Sequence, residues 1–394
     1  MKVAFLTAGG IAPCLSASIG KLIKCYYDID PNISMLGYLF GYKGLLTDLS
    51  ISIDSTVCKD AHLLYGFGGS PLGNSRVKLS NLEDCIKNNY IKKGENPLKV
   101  AADQLIKDKV TILHTIGGDD TNTTAGELVS YLKMNNYDLT VVGLPKTIDN
   151  DISPISQSLG AWTAAEQGAI FFENISNENT TSSRQLIIHE VMGRNCGWLT
   201  AYTALEYRRR LNSKKFIPSI LIDKERWDID AIYIPELTIN IKEEVERLKL
   251  RMDQKDSVNI FLSEGAGLDS IISEMEKNEI VIEKDAFGHV RLDDINPGQW
   301  FAKQFSEKLS ADKVLVQKSG YFSRSSNPNK KDLDLIFKTV DYAVMCALDG
   351  KSGVVGLDNE NNNKMSCIDF NRIKGGKSFD PTIEWFTSMI DEIK

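Results

Sequence analysis

The N-terminal segment combines a short apolar run with an amphipathic stretch. Lys2–Thr7 has the character of a short buried strand, Gly9 and Gly10 mark a tight turn, and Pro13 is suited to begin a helix. Apolar residues in the stretch that follows recur at helical spacing, at Leu15, Ile19, Leu22, Ile23 and Tyr26. The pattern predicts a strand, a glycine turn and a helix with one buried face.

The same order of elements recurs further along the chain. Residues 110–116 predict a strand that ends at Gly117 and Gly118. The helix after it carries apolar residues at Ala125, Leu128, Val129 and Leu132. Further strands are predicted at residues 139–144, 185–191, 219–222, 258–262 and 313–316. Because strands that alternate with helices form right-handed crossovers, we expect an α/β fold with two doubly wound, mostly parallel sheets.

The chain is predicted to divide into two lobes. A dense polar loop at residues 146–154 places the boundary near Leu159. We expect a first lobe at residues 1–159, completed by part of 325–394, and a second lobe at 160–324. The chain has 394 residues, which is enough for each lobe to bury its own core.

Composition narrows the classes of function. The 46 basic and 53 acidic residues leave a formal charge of −7, which argues against broad binding to nucleic acid or to an anionic membrane. No run approaches the roughly 18 apolar residues that a membrane-spanning helix needs. The seven cysteines are odd in number and include no Cys-x-x-Cys pair, so a reducing, cytoplasmic location is expected.

Polar clusters follow the predicted strands. They are Gly9-Gly10 and residues 117–121, 145–151, 192–194, 263–267 and 320–324. Ligands of open parallel sheets bind at the carboxyl ends of the strands, so these clusters predict a binding site. Glycines before a helix let backbone N–H groups approach an anion, and the helix N-terminus favours negative charge. Asp119 and Asp120 beside bound phosphates would repel them without a divalent cation, so Mg²⁺ is implied.

Residues 146–151 are the most informative segment. They combine the cation of Lys146, the hydroxyl of Thr147 and the carboxylates of Asp149 and Asp151. This set is sufficient to hold a phosphoryl group and to deprotonate an attacking alcohol. The alternative interpretation is an Asn/Asp-rich turn with internal side-chain hydrogen bonds, but a turn does not require all four of these residues together.

Two common nucleotide-binding motifs are absent from the sequence. Gly376-Lys377-Ser378 resembles the end of a P-loop, but Asn371 occupies the position of its first glycine. The glycine-rich residues 66–69 are followed by Pro71, where a dinucleotide fingerprint needs its third glycine. A P-loop nucleotidase and a Rossmann-type oxidoreductase are therefore disfavoured.

Taken together, these motifs resemble the phosphofructokinase family over nearly the whole chain, and within it the bacterial pyrophosphate-dependent members. The resemblance implies two sheet lobes of the phosphofructokinase type, with the phosphoryl donor in the first and fructose 6-phosphate in the second. It implies reversible, Mg²⁺-dependent phosphoryl transfer from pyrophosphate to the 1-hydroxyl of fructose 6-phosphate. ATP-dependent phosphofructokinase is the alternative. A catalytically silent regulatory subunit is disfavoured because both Asp149 and Asp119 are present.

The resemblance also implies roles for single residues. Asp149 is the base, assisted by Lys146, Asp120, Thr147 and Asp151. Asp119 is implied as the Mg²⁺ ligand. The donor site is implied to contain Gly10, Arg76, Gly118 and Thr121. The sugar phosphate site is implied to contain Thr147, Asp149, Arg184, Met192, Gly193, Arg194, Glu264, Lys318, Tyr321 and Arg324.

Two further expectations follow from the resemblance. In the ATP-using pattern, glycines occupy the positions of Asp120 and Lys146, which leaves room for the α-phosphate of a nucleotide. A carboxylate and an ammonium at these positions favour pyrophosphate as the donor. Arg184 resembles an arginine that reaches into a neighbouring subunit, so a homodimer or homotetramer is expected.

Overall fold

The computed structural model describes residues 1–278 and 295–393. The chain forms two compact units, one of Met1–Thr163 with Arg324–Lys377 and the other of Ala164–Ser323 with Ser378–Lys394. The sequence-based division differs in that it assigned no part of the C-terminal tail to the second unit. In the structure the tail is bonded there, because the backbone N–H of Phe379 donates to Glu236 and Arg208 pairs with Glu392.

The first unit contains a seven-stranded sheet. Its strands are β1 (Lys2–Thr7), β2 (Ser34–Tyr38), β3 (Ser50–Ile53), β4 (Ile112–Gly117), β5 (Thr140–Pro145), β10 (Gly353–Asp358) and β11 (Lys364–Ile368). Its helices include α1 (Leu15–Ile29), α2 (Tyr42–Leu46), α3 (Ser55–Asp60), α4 (Leu82–Lys87), α5 (Pro97–Lys107), α6 (Asp119–Met134) and α14 (Lys330–Leu348). The strand order is β11-β10-β5-β4-β1-β2-β3, parallel except for the edge strands β11 and β3.

The first strand and helix are confirmed by the structure. The apolar face predicted for α1 is buried at all five of its positions. The edge strands were not predicted, because β3 alternates serine with isoleucine over four partly exposed residues and β11 is a five-residue segment of mixed polarity with only its last residue buried. Their position in the sheet is determined by antiparallel pairing with an inner neighbour.

The second unit contains a four-stranded parallel sheet of order β7-β8-β6-β9. Its strands are β6 (Gln185–Val191), β7 (Ala231–Tyr233), β8 (Ser257–Ser263) and β9 (Lys313–Lys318). The associated helices are α7 (Ala161–Ile175), α8 (Trp198–Asn212), α9 (Lys224–Trp227), α10 (Ile241–Lys255), α11 (Leu268–Lys277), α12 (Pro297–Phe305), α13 (Gly320–Ser325) and α15 (Glu384–Ile393). Two of these helices, α7 and α13, contain a boundary between the units.

The strand predicted at residues 219–222 is wrong. These residues form a turn, which the hydrogen bond from Ile217 N to Ile222 O closes at 2.9 Å. Ile220 and Leu221 are exposed, so their apolar character does not mark a core strand. The strand in this part of the chain is β7, whose three residues were too few to give a periodic signal.

None of the helices in the described part of the chain has the length and apolar character needed to cross a bilayer.

Candidate active site

Three polar clusters of the first unit follow neighbouring strands of its sheet. Strands β1, β4 and β5 are adjacent and parallel, so their carboxyl ends meet at one edge. The residues that follow them are Gly9 and Gly10 after β1, Gly118 to Thr121 after β4, and Lys146 to Asp151 after β5. This edge is the ligand-binding position of an open parallel sheet.

The turn after β1 is held by a second loop. Gly9 has a φ of +83°, which favours glycine, and its N–H donates to Ser75 O at 2.9 Å. The side-chain amide of Asn74 donates to Gly9 O at 3.1 Å and to Gly10 O at 3.4 Å. The predicted donor residue Arg76 directly follows this loop and is exposed. Asn74 was not recognised as a site residue, although it lies only two residues before Arg76.

Lys146 lies between the first two glycine turns and is only 5% exposed. Its Nζ donates to Gly10 O at 2.6 Å, and its backbone N–H donates to Gly117 O at 2.8 Å. A Cβ atom on Gly9 would lie 3.4 Å from this Nζ. Burial lowers the pKa of Lys146, and the charge of Asp149 opposes that shift. The ammonium therefore occupies the space beside the turns, and an anionic ligand there would stabilise its charged form.

The amino end of α6 carries the predicted metal and donor residues. Burial raises the pKa of Asp119, and the nearby charges of Asp120 and Asp151 raise it further. Gly375 packs its backbone against the Asp119 carboxylate, where a Cβ atom would collide with Oδ2. Thr121 is buried under Gly117, where a Cβ atom would likewise collide with it.

Asp120 is exposed, and it pairs with a residue that the sequence analysis did not single out. Its Oδ2 lies 2.8 Å from Lys78 Nζ. Lys78 is remote in sequence and belongs to no motif, so only the fold reveals this pairing.

The loop after β5 is held by its own side chains. Thr147 Oγ1 donates to Asp151 Oδ1 at 3.1 Å and accepts the N–H of Asp149 at 3.2 Å. Asn150 has a φ of +55°; its side chain accepts the N–H of Ser158 and donates to Ser156 O. These are the internal bonds of an Asn/Asp-rich turn, and they fix the backbone that carries Asp149.

The donor atoms of this edge fit Mg²⁺ only in part. Among the residues that the structure describes, no group of three or more His, Cys, Asp or Glu side chains could hold a metal. Mg²⁺ is commonly bound by one or two carboxylates with phosphate oxygens and water completing its shell. Asp119, whose raised pKa reflects burial near other carboxylates, fits such a shared site better than a cage made of protein alone.

A second polar cluster lies at the carboxyl edge of the sheet in the second unit. Gly193, with a φ of +123°, donates its N–H to Glu264 Oε1 at 3.2 Å and accepts from Ser263 Oγ at 2.5 Å. Gly265 approaches Arg194 O so closely that a Cβ atom would collide with it. Burial raises the pKa of Glu264, while the Gly193 N–H and the charges of Arg194 and Lys318 oppose the shift. The loops after β6 and β8 thus form one bonded unit.

The remaining residues of this cluster follow β9. Lys318 ends the strand, and its Nζ pairs with Glu190 Oε1 at 2.8 Å. Gly320 begins α13 and packs against the Met192 side chain. Tyr321 is 80% exposed. Arg324 lies at the other end of α13 and is assigned to the first unit.

Arg184 is not brought together with these residues. It precedes β6, whereas Met192 follows it, and seven strand residues at about 3.3 Å each separate the two ends. Its guanidinium donates to Leu309 O at 2.6 Å and Ser310 O at 2.7 Å, and it pairs with Asp253 at 2.9 Å. These bonds engage the guanidinium within its own chain; its role toward the sugar phosphate of a neighbouring subunit stays a prediction.

Comparisons with known proteins agree with this arrangement. The model of the family described as Phosphofructokinase matches residues 2–346. The chain is 54% identical over 392 residues to the pyrophosphate–fructose 6-phosphate 1-phosphotransferase of Methylomonas methanica. The alignment covers 100% of this chain and 96% of the relative. It is equally 54% identical over 392 residues to the protein of the same name from Propionibacterium freudenreichii subsp. shermanii, covering 100% and 97%.

The fold is similar to that of a solved structure. The pyrophosphate-dependent phosphofructokinase of Marinobacter aquaeolei matches with a TM-score of 0.70 at 19% identity, over 100% of this chain and 91% of that chain. Its sequence identity is low, so this likeness concerns the fold alone. The family match covers residues 2–346 and the two relatives align over the full chain, and the chain belongs to the phosphofructokinase family.

Proposed function

We propose that this chain catalyses the reversible, Mg²⁺-dependent transfer of a phosphoryl group from pyrophosphate to the 1-hydroxyl of fructose 6-phosphate, which gives fructose 1,6-bisphosphate and phosphate. The observation that carries the choice of donor is the buried Lys146 ammonium, bonded to Gly10 O beside the turns after β1 and β4. The names of the two relatives at 54% identity support the same reaction.

The proposed chemistry is a direct displacement at phosphorus. Asp149 takes the proton of the sugar 1-hydroxyl, the new O–P bond forms, and the bridging P–O bond of pyrophosphate breaks to release phosphate. In the reverse direction Asp149 returns the proton. The Thr147 hydroxyl and Asp151 hold the loop that carries Asp149, so the base is positioned before the substrate binds.

The donor is assigned to the first unit. Backbone N–H groups at Gly10 and Gly118 and the amino end of α6 suit a diphosphate, and Arg76 and Lys146 supply positive charge. Thr121 lies in the first turn of the same helix and belongs to this donor site. When bound through Asp119, Mg²⁺ supplies positive charge that offsets the phosphate oxygens.

The sugar phosphate is assigned to the second unit, and the family resemblance alone adds Arg324 to its ligands. Arg194 and Lys318 provide cations for the 6-phosphate, and Glu264 provides an acceptor for a sugar hydroxyl. Met192, Gly193 and Tyr321 belong to the same cluster of loops. Arg184 is left out of the proposed site of its own chain because its guanidinium is bonded at the opposite end of β6.

ATP is the second candidate donor, and a direct assay decides between the two. Purified protein is supplied with fructose 6-phosphate, Mg²⁺ and either pyrophosphate or ATP, and fructose 1,6-bisphosphate is measured. We expect robust turnover with pyrophosphate and little with ATP. The side chains of Lys146 and Asp120 occupy the space that the α-phosphate of a nucleotide would need, and the Asp120 carboxylate would repel that phosphate. Turnover with ATP alone would contradict the proposal.

We also propose a cytoplasmic location and self-association for this chain. All seven cysteines are free, which suits a reducing compartment. A homodimer or homotetramer follows from the family resemblance, and light scattering coupled to size exclusion tests it. A monomer with full activity would contradict the expectation.

A further inference from the structure

A buried glutamate, Glu190, holds the side chain of Lys318. Glu190 is the residue before the end of β6, it is 5% exposed, and the parallel register pairs it with Lys318 on β9. Its Oε1 accepts from Lys318 Nζ at 2.8 Å, and its Oε2 accepts the backbone N–H of Gly298 at 2.9 Å. Each carboxylate oxygen therefore has a donor, one flexible and one fixed.

The fixed donor is the amino end of α12. Pro297 begins this helix and Gly298 follows, with an N–H that no earlier helical carbonyl can accept. A Cβ atom on Gly298 would collide with Glu190 Oε2 and lie 2.6 Å from Val316 Cγ1. The missing side chain lets the helix end approach the carboxylate closely, so the backbone holds Glu190 from one side. Among the contacts described, Lys318 is its only partner with a flexible side chain.

A second carboxylate lies at the same edge of the sheet. Glu264 follows β8, the strand next to β6, and the charges of Glu190, Arg194 and Lys318 all act on it. The side chain of Lys318 is 46% exposed, so a ligand can reach its ammonium while Glu190 holds it.

We propose that Glu190 is a positioning residue that holds the Lys318 ammonium for the phosphate of the sugar phosphate. This inference rests on the proposed function, because it assumes that the second unit binds the sugar phosphate. Glu190 acts through Lys318 and takes no part in the phosphoryl transfer itself.

The test is a double-mutant cycle with steady-state kinetics in both substrates. The variants are Glu190→Gln, Lys318→Met and the double variant, with Glu190→Asp as the conservative replacement. Glu173→Gln is the matched control, because Glu173 also pairs with cations of the second unit, Arg210 and Lys214, but lies on α7. Thermal unfolding of every variant is measured in parallel.

We expect Glu190→Gln to raise KM for fructose 6-phosphate about tenfold, with kcat and KM for pyrophosphate within about threefold. The double variant should be no worse than Lys318→Met alone, and Glu190→Asp should recover most of the loss. The Glu173→Gln control should change neither KM.

Two results would overturn the inference while leaving the proposed function intact. One is wild-type turnover with unchanged KM values in Glu190→Gln. The other is KM effects of Glu190→Gln and Lys318→Met that simply add. A wild-type protein that neither turns over nor binds fructose 6-phosphate would contradict the proposed function and this inference together.

Discussion

The ammonium of Lys146 donates a 2.6 Å hydrogen bond to the carbonyl of Gly10, which ties the loop after β5 to the turn after β1. The loops that carry the two residues follow strands separated in the sheet by β4 alone, and the Lys146 backbone bonds to Gly117 at the end of that strand. One side chain and its own backbone thus connect three loops at the edge of one sheet.

We expect Lys146→Met to lower kcat/KM for pyrophosphate about 10²-fold, because a buried cation beside the donor is lost and the Gly10 turn is released. KM for fructose 6-phosphate should change little. Steady-state kinetics in both substrates measure this. Lys99→Met is the control, because Lys99 is an exposed lysine that pairs with Asp103 on α5. Equal loss in both variants would contradict the assignment.

Asp149→Asn should lower kcat by roughly 10² to 10⁴ with little change in the affinity for fructose 6-phosphate, because the amide keeps the shape of the side chain but accepts no proton. The reverse reaction should suffer equally. Single-turnover kinetics in both directions, with calorimetric binding of the sugar phosphate, separate chemistry from binding. Weaker binding at unchanged kcat would make Asp149 a positioning residue.

Activity should require Mg²⁺, and Asp119→Ala should abolish it at saturating substrates. Because burial and neighbouring carboxylates raise the pKa of Asp119, protons compete with the metal at a higher pH than for an ordinary aspartate. At limiting Mg²⁺, activity should therefore decline on the acid side, and added Mg²⁺ should restore it. Assays at several Mg²⁺ concentrations across pH measure this. Full activity in excess chelator would contradict the metal assignment.

Acid should destabilise the fold through two buried histidines. Burial lowers the pKa of His114 and of His189 to about 3, from an ordinary value of 6.5. Each takes up a proton only on unfolding, so its contribution to stability is present above pH 6.5 and is lost as pH falls toward 3. Each should add about 1.4 kcal/mol per pH unit to the slope of the unfolding free energy in that window.

Urea unfolding between pH 7 and 4 measures this slope. His114→Gln should reduce the slope of the unfolding free energy by about 1.4 kcal/mol per pH unit, the contribution of one proton. The variant also loses the 2.7 Å hydrogen bond between the ring and the Tyr26 hydroxyl. An unchanged slope in His114→Gln would mean that other groups cause the acid sensitivity.

Arg184→Ala should act on stability and not on catalysis. The guanidinium satisfies the carbonyls of Leu309 and Ser310 and pairs with Asp253, so its loss should cost roughly 1–3 kcal/mol. We expect kcat and both KM values within about twofold of wild type. The test includes mixing with Asp149→Asn chains under demonstrated subunit exchange. Strong loss of activity in Arg184→Ala, with recovery on mixing, would restore the cross-subunit role that the sequence suggested.

The amino-acid sequence by itself determined the elements whose signal is local. An apolar run followed by glycines and an amphipathic segment gave β1 and α1, because burial of one face is encoded at helical spacing. Parallel strands place their carboxyl ends at one edge, so clusters after successive strands could be expected to meet before any contact was known. The loop at Lys146 to Asp151 was found in this way.

Only the tertiary structure decided which remote residues touch. The pairs Lys78 with Asp120, Asn74 with Gly10 and Glu190 with Gly298 join segments far apart in the chain, and no local pattern encodes them. Arg184 is a further case, since its bonds to the carbonyls of Leu309 and Ser310 follow from the packing of the second unit and from no local pattern. Local periodicity specifies burial, but contact between distant side chains depends on how whole elements pack.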